Sequence, residues 1–313
     1  MLGKTAGGLF WMMRYMERSE NTARMIDAGL RISLTRSSAA ESEWTSILTA
    51  LGMLDAYRAR HDAVIGEKVV DFLLRDKANP GSVLASVGAA RTNARLVRTA
   101  LTRGVWTAVN ECWMALNAEL ARPVRQQDLP EILEMIRQRG AYVHGALDST
   151  MLRNDIYDFA RIGTFFERAD NVARVLDVKY YILLPSIMHV GSVSDNVQWE
   201  TILRATAASR AYQTLHENEY DPRGIAHCLI LDTRLPRSLH FCYREIAGNL
   251  DFLAQEYGER LPSHAKVAHI LRRLETTTID KIFEFGLHEF IQEFLADSHA
   301  LGRQIETDYR FSE

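Results

Sequence analysis

Proline and glycine are scarce, at 7 and 18 of 313 residues. So few breakers leave room for long helices and little for a turn-rich all-β fold. Cysteine is nearly absent: Cys112, Cys228 and Cys242 are widely spaced, which excludes a dense disulfide scaffold and fits a reducing compartment. There is no Lys/Arg-rich block, and the formal net charge is −3, so nothing calls for nucleic acid or an anionic membrane as partner. Long hydrophobic runs are missing too. The stretch Leu9-Phe10-Trp11-Met12-Met13 is cut by Arg14, Glu17 and Arg18 before a signal-peptide core could form. The apolar run 180–190 contains Pro185 and is far short of the roughly 20 residues that span a bilayer. These absences lead to the expectation of a soluble, cytoplasmic chain.

What is present is a charged segment written twice. Glu17-Arg18-Ser19-Glu20-Asn21-Thr22-Ala23-Arg24-Met25-Ile26-Asp27 returns 150 positions later as Glu167-Arg168-Ala169-Asp170-Asn171-Val172-Ala173-Arg174-Val175-Leu176-Asp177. Weaker echoes follow at offsets of 155 or 156. Trp44 with Ile47 and Leu48 meets Trp199 with Ile202 and Leu203. Asp76, Pro80 and Ser82 meet Asp232, Pro236 and Ser238; Asn93 meets Asn249; Ile136 and His144 meet Ile291 and His299. The drift in offset places an insertion near 191–195. Helical periodicity runs through 9–35, 42–59, 84–119, 128–150, 151–185, 196–217, 236–257, 264–283 and 286–308. Ser42 and Asp128 are candidate N-caps, and Asn79-Pro80-Gly81 is a breaker. The expected architecture is all-α: a helical bundle of two duplicated halves, about 1–150 and 151–313, related by a pseudo-twofold axis within one domain spanning 1–313.

On a helix Glu17, Glu20, Asn21, Arg24 and Asp27 share an arc of about 120°, opposite Met12, Met16, Ala23, Ile26 and Leu30. The second copy is arranged alike, with Phe165, Phe166, Ala173 and Leu176 on its apolar side. Three readings stand beside one another. The stripe could be a solvated face with pairings worth a few tenths of a kcal/mol, but a wet face tolerates Lys for Arg and would drift between copies. It could be a buried network in which Arg forks hold carboxylates across the two helices. It could line a cleft, with Arg holding a carboxylate or phosphate and Glu acting as acid or base.

These residues resemble the alpha-E family of bacterial all-helical proteins carrying a Glu-Arg motif. The resemblance covers the whole chain. It is most specific over 11–27 and 159–181, where Gly163, Glu167-Arg168-Ala169-Asp170 and Leu176-Asp177-Val178-Lys179-Tyr180 follow the pattern. Trp44, Asn93-Ala94-Arg95, Trp106 and Pro236-Arg237-Ser238 agree as well. Gly7-Gly8 and Met13 depart from it, Met13 standing where many relatives have Gly, so the second motif follows the family more closely. The resemblance implies a neighbourhood with a circularly permuted ATP-grasp protein and often a transglutaminase-like one, hence a part in ATP-dependent amide or peptide-bond formation or peptide modification. Carried onto the motif, it marks Glu17 and Glu167 as candidate catalytic residues. Arg18, Asn21, Arg24, Arg168, Asp170, Asn171 and Arg174 become candidates for binding a carboxylate or peptide. The alternative is a non-catalytic scaffold in which the motifs are structural; whether the chain is itself an enzyme stays open.

Other signals carry less. Gly3-Lys4-Thr5 lacks the strand and glycines of a phosphate loop, and no E-x-x-H, H-E-x-x-H or C-x-x-C occurs, so neither metal nor cofactor is expected. His144 and His299 read first as satisfied core histidines, and the five tryptophans as core residues.

Overall fold

The computed structural model describes residues 1–35, 40–183, 193–216 and 220–312, and these residues form fifteen helices and no strand. Two long helices sit at the centre, α1 (Gly3–Thr35) and α8 (Asp155–Leu183), packed against one another. Against α1 lie α5 (Val83–Leu96) and α7 (Leu129–Thr150), with α6 (Arg103–Glu119) bridging those two. Against α8 lie α12 (Leu239–Tyr257) and α15 (Leu287–Asp308), bridged by α13 (Pro262–Thr276). Both α2 (Ala40–Ala50) and α9 (Val193–Ala205) touch α1 and α8. The short helices α3 (Leu54–Arg58), α4 (Gly66–Leu74), α10 (Ser209–His216), α11 (Pro222–Ile230) and α14 (Ile279–Phe285) complete the chain.

Because neighbours surround both central helices, both of their faces are covered. Leu9, Phe10, Met12, Met13, Met16, Ala23 and Ile26 of α1 are buried, as are Phe159, Ile162, Phe165, Phe166, Ala173 and Leu176 of α8. So are the polar Glu17, Glu20, Asn21, Glu167, Asp170 and Asn171. The stripe is not a solvated face. Trp44 and Trp199 are core, while the half-buried Trp106 and Trp113 lie under the guanidinium groups of Arg98 and Arg91. Burial pushes the thiols of Cys112, Cys228 and Cys242 up to about 12, 11 and 12, so all three stay protonated.

Several expected helices break where local chemistry intervenes. The 42–59 span is α2 and α3, parted by Gly52 at φ 67°. The 196–217 span divides in the same way, with Ala207 at φ 56°. The backbone closes both turns alike: Met53 N donates to Leu48 O at 2.8 Å and Ala208 N to Leu203 O at 2.7 Å. The 84–119 span is α5 and α6, the second opened by a Thr102 cap, and 264–283 is α13 and α14, the latter capped by Thr278. Ser82 and Ser238 cap α5 and α12 through their hydroxyls. Asp128 precedes α7 without capping it, because its carboxylate is engaged by Arg125 at 2.6 Å. Ser42 lies inside α2, which begins at Ala40. The insertion expected near 191–195 lies partly outside the described residues, as does most of the run 180–190. Among the described residues no helix is long and apolar enough to cross a membrane.

At Gly163 the backbones of α1 and α8 come close together, and an added Cβ would sit 2.9 Å from the Phe10 carbonyl carbon and nearer still to its oxygen. Gly163→Ala forces backbones apart rather than a flexible side chain. It is expected to cost about 1–3 kcal/mol, measured as a lowered midpoint in urea unfolding.

Candidate functional site

The two motif helices present their Glu-Arg pairs to each other, and the pairing is crossed. Arg18 forks onto Glu167, with Nε to Oε1 at 2.5 Å and Nη2 to Oε2 at 2.9 Å. Arg168 forks onto Glu17, with Nε to Oε1 at 3.1 Å and Nη2 to Oε2 at 2.9 Å. Each carboxylate takes a further guanidinium. Arg14 donates to Glu167 Oε2 at 2.8 Å, and Arg237 lies 2.8 Å from Glu17 Oε1. Arg237 also donates to Asn21 Oδ1 at 3.1 Å. Only a planar fork satisfies both carboxylate oxygens at once, which explains Arg rather than Lys at 18 and 168.

Electrostatics follows from the burial. Desolvation pushes the Glu17 carboxyl up, but Arg168 and Arg237 outweigh it and hold it well below the usual carboxylate range. Arg168 is held above the ordinary arginine value by Glu17 despite its own burial. Both glutamates expected as acid or base have a guanidinium donor on each oxygen and a second guanidinium group besides.

Next to this core, His144 of α7 places Nε2 3.3 Å from Glu17 Oε2 and 3.2 Å from Glu20 Oε1. Burial pulls the imidazole pKa down, but the two carboxylates push it up to about 9, so His144 is a cation at neutral pH. On α15, His299, 155 positions after His144, lies 3.3 Å from Asp170 Oδ1. Burial raises Asp170, while His299 and Arg174 bring it down to about 2. His144 is thus the satisfied, largely buried histidine expected, but its partners are carboxylates, whereas His299 is exposed rather than core.

Glu17, Glu20 and His144 offer ligand atoms within 4.8 Å of one another, the residues among those described that could hold a metal ion. Their surroundings suit a proton better: Arg168 and Arg237 already neutralise Glu17 and would repel a dication, whereas an imidazolium spreads a single charge between two carboxylates.

Arg24 and Arg174 stand at the outer ends of the stripes. Arg24 Nη2 donates to Glu20 Oε2 at 3.3 Å, and Arg174 Nε to Asp170 Oδ2 at 2.7 Å. Both guanidinium groups are partly exposed and each lines a cavity, of about 230 Å³ for Arg24 and about 310 Å³ for Arg174. The amide nitrogens of Asn21 and Asn171 are buried with no hydrogen-bond partner among the described residues.

The structure thus brings Glu17, Arg18, Glu167 and Arg168 together with Asn21, sets Glu20, Asp170 and Asn171 beside them, and leaves Arg24 and Arg174 at the rim. Sequence reasoning missed three participants. Arg14 carried a faint signal, standing one turn before Arg18. Arg237 sat in a segment noted only for family likeness, with no spacing to tie it to Glu17. His144 was weighed as core because its apolar neighbours gave no hint of carboxylates on another helix.

Fold and site together define a class: all-helical proteins whose two longest helices are joined through Glu-Arg motifs. The chain belongs to the Alpha-E family, described as a predicted alpha-helical domain with a conserved ER motif, which it matches over residues 1–309. It is 22% identical over 317 aligned residues to uncharacterized proteins of Mycobacterium bovis and of two Mycobacterium tuberculosis strains, with 95% of the chain aligned. The match takes in 35% of those relatives, so the chain spans about a third of their length. No solved structure matches it.

His144 predicts a pH dependence. Its folded pKa of about 9 lies above the ordinary 6.5, so its stabilising contribution is complete below pH 6.5 and is lost as pH rises through 9. Asp158, pushed up to about 7 by burial and by Glu256 and Asp155, titrates in both proteins and cancels in a difference. The melting temperature of the wild type minus that of His144→Gln is expected to be largest below pH 6.5 and to vanish above pH 9. A difference that grows with pH contradicts the assignment.

Proposed function

We propose that this chain is a binding component of an ATP-grasp-associated system that forms amide or peptide bonds or modifies peptides. In it the inner Glu-Arg pairs lock the fold and the outer arginines hold the carboxylate of an acceptor or nascent peptide. The observation that carries the division is which groups of each stripe line a cavity. Glu17 and Glu167 are buried and paired with guanidinium groups, whereas Arg24 and Arg174 line cavities that solvent reaches. A carboxylate with guanidinium donors on both oxygens is poorly placed as a general base, so the inner glutamates position rather than react. The family resemblance supports the circularly permuted ATP-grasp partner, and the transglutaminase-like partner less directly. ATP would be bound by that partner, since this chain has no phosphate loop.

We further infer that the chain is an internal duplication about a pseudo-twofold axis, one domain with halves at about 1–150 and 151–313. The crossed ion pairs support this. So do the matching turns at Gly52 and Ala207, the matching caps at Ser82 and Ser238, and the buried Tyr57 and Tyr212 at the same offset. The scaffold reading is favoured for the inner pairs by the same geometry. The two readings describe different parts of one stripe.

Arg168→Lys and Arg174→Lys separate them. The first removes a buried fork and is expected to lower the melting temperature by several degrees. The second alters a partly exposed side chain and is expected to leave melting within about two degrees while reducing ligase output with the ATP-grasp protein present. Full output from Arg174→Lys would leave only the scaffold.

A further inference from the structure

Two cavities flank the motif helices, and they hold equivalent positions in different chemistry. The one at α8 is lined by Arg174, Asp177, Gln292, His299 and, from α2, Thr49. The one at α1 is lined by Arg24 and Asp27, by Arg137 of α7, and by Arg204, Ser209 and Arg210 of the α9–α10 corner. Gln292 stands where Arg137 does, and Thr49 where Arg204 does, each at the offset of 155 that relates His144 to His299. The first-motif cavity therefore has four guanidinium groups and one carboxylate on its walls. The other has one guanidinium, one carboxylate and a histidine.

We propose that the cavity bounded by Arg24, Arg137, Arg204 and Arg210 is a binding site for a phosphate group carried as a dianion. This rests on the preceding reading, which places ligand binding at the outer arginines, and refines it: the carboxylate is left to Arg174 and the Arg24 cavity takes a phosphate. Four observations carry it. The arginines line the cavity from α1, α7 and the α9–α10 corner, Arg137 and Arg204 while also donating to Glu134 and Glu200 of their own helices. A planar carboxylate is satisfied by one fork, whereas a tetrahedral oxyanion offers acceptors to several. The Nε of Arg24 and the Oγ of Ser209 are buried and have no hydrogen-bond partner among the described residues, and both residues line this cavity. Buried donors without acceptors are costly, and a bound oxyanion would relieve both.

The surplus of positive charge registers on Arg24. Burial and the like charges of Arg237 and Arg137 hold its guanidinium below the ordinary arginine value, against the pull of Glu20 and Glu17. Finally, Ser209 opens α10, whose first-turn amides lack helical acceptors. The turn before it is held by Ala207 at φ 56°, a left-handed conformation that strains a residue with a side chain. A cavity of about 230 Å³ accommodates a phosphate with a small attached group, and its open mouth admits one at the end of a larger molecule.

The test is calorimetric titration of the isolated chain with inorganic phosphate at low ionic strength, alongside glutarate and glycerol phosphate. The expectation is one phosphate per chain, weakened by added salt, and at least tenfold weaker binding of glutarate. Arg204 and Arg210 are exposed and outside the locked core, so Arg204→Ala/Arg210→Ala should melt like the wild type and bind phosphate at least tenfold more weakly. Tighter binding of glycerol phosphate than of inorganic phosphate makes the group part of a substrate; equal binding makes it free phosphate. Two sites per chain, glutarate bound as tightly as phosphate, or unchanged binding by the double variant would overturn the proposal. Because no partner protein is present, phosphate binding with unaltered ligase output in Arg24 and Arg174 variants would sink the preceding reading alone.

Discussion

Two glutamates buried between a pair of helices, each facing a part-buried arginine of the other helix, must be satisfied by it. Removing a carboxylate from water costs several kcal/mol, and only a close, forked partner repays it. Glu17 with Arg168 and Glu167 with Arg18 supply that, each pair spanning α1 and α8. Because the pairing is crossed, neither helix can slide, rotate or withdraw without stranding charges on both. Such a constraint contributes specificity of register more than net stability, since a well-packed apolar pair would hold the helices at least as firmly.

The rest of the molecule is arranged around that crossing. Gly163 lets the two backbones approach closely enough for the forks to reach. The flanking α5, α7, α12 and α15 exclude water from the stripe, and α7 and α15 also deliver His144 and His299 to its carboxylates. At the outer ends of the stripe the packing opens. There Arg24 and Arg174 line cavities open to solvent, so the same motif that locks the centre carries the proposed binding edge further along.

Much of this was legible in sequence, for reasons that can be named. The repeated Glu-Arg-x-x-Asn-x-x-Arg series has helical spacing, so one face per helix followed directly, and its unchanged charge pattern argued against a wet surface. Scarce Pro and Gly announced the all-helical class. The helix breaks at Gly52 and Ala207 were not legible, because apolar periodicity continues across a single left-handed residue. Helices α4 and α11 are only nine residues each, too short to show a period. The crossed pairing, Arg237 at Glu17 and His144 between two carboxylates depend on which helices adjoin, which no local spacing encodes. The second motif follows the family pattern more closely, yet the denser cationic cavity lies at the first.

The most direct test of the crossed lock is a double-mutant cycle on Glu17 and Arg168, with unfolding free energies measured for Glu17→Ala, Arg168→Ala and the double variant. The account predicts a coupling energy of about 1.5–3 kcal/mol, at the upper end for residues in one buried ion-pair network. Additive losses, with a coupling near zero, would mean that the two helices are held by their apolar faces alone and that the buried Glu-Arg forks do not join them.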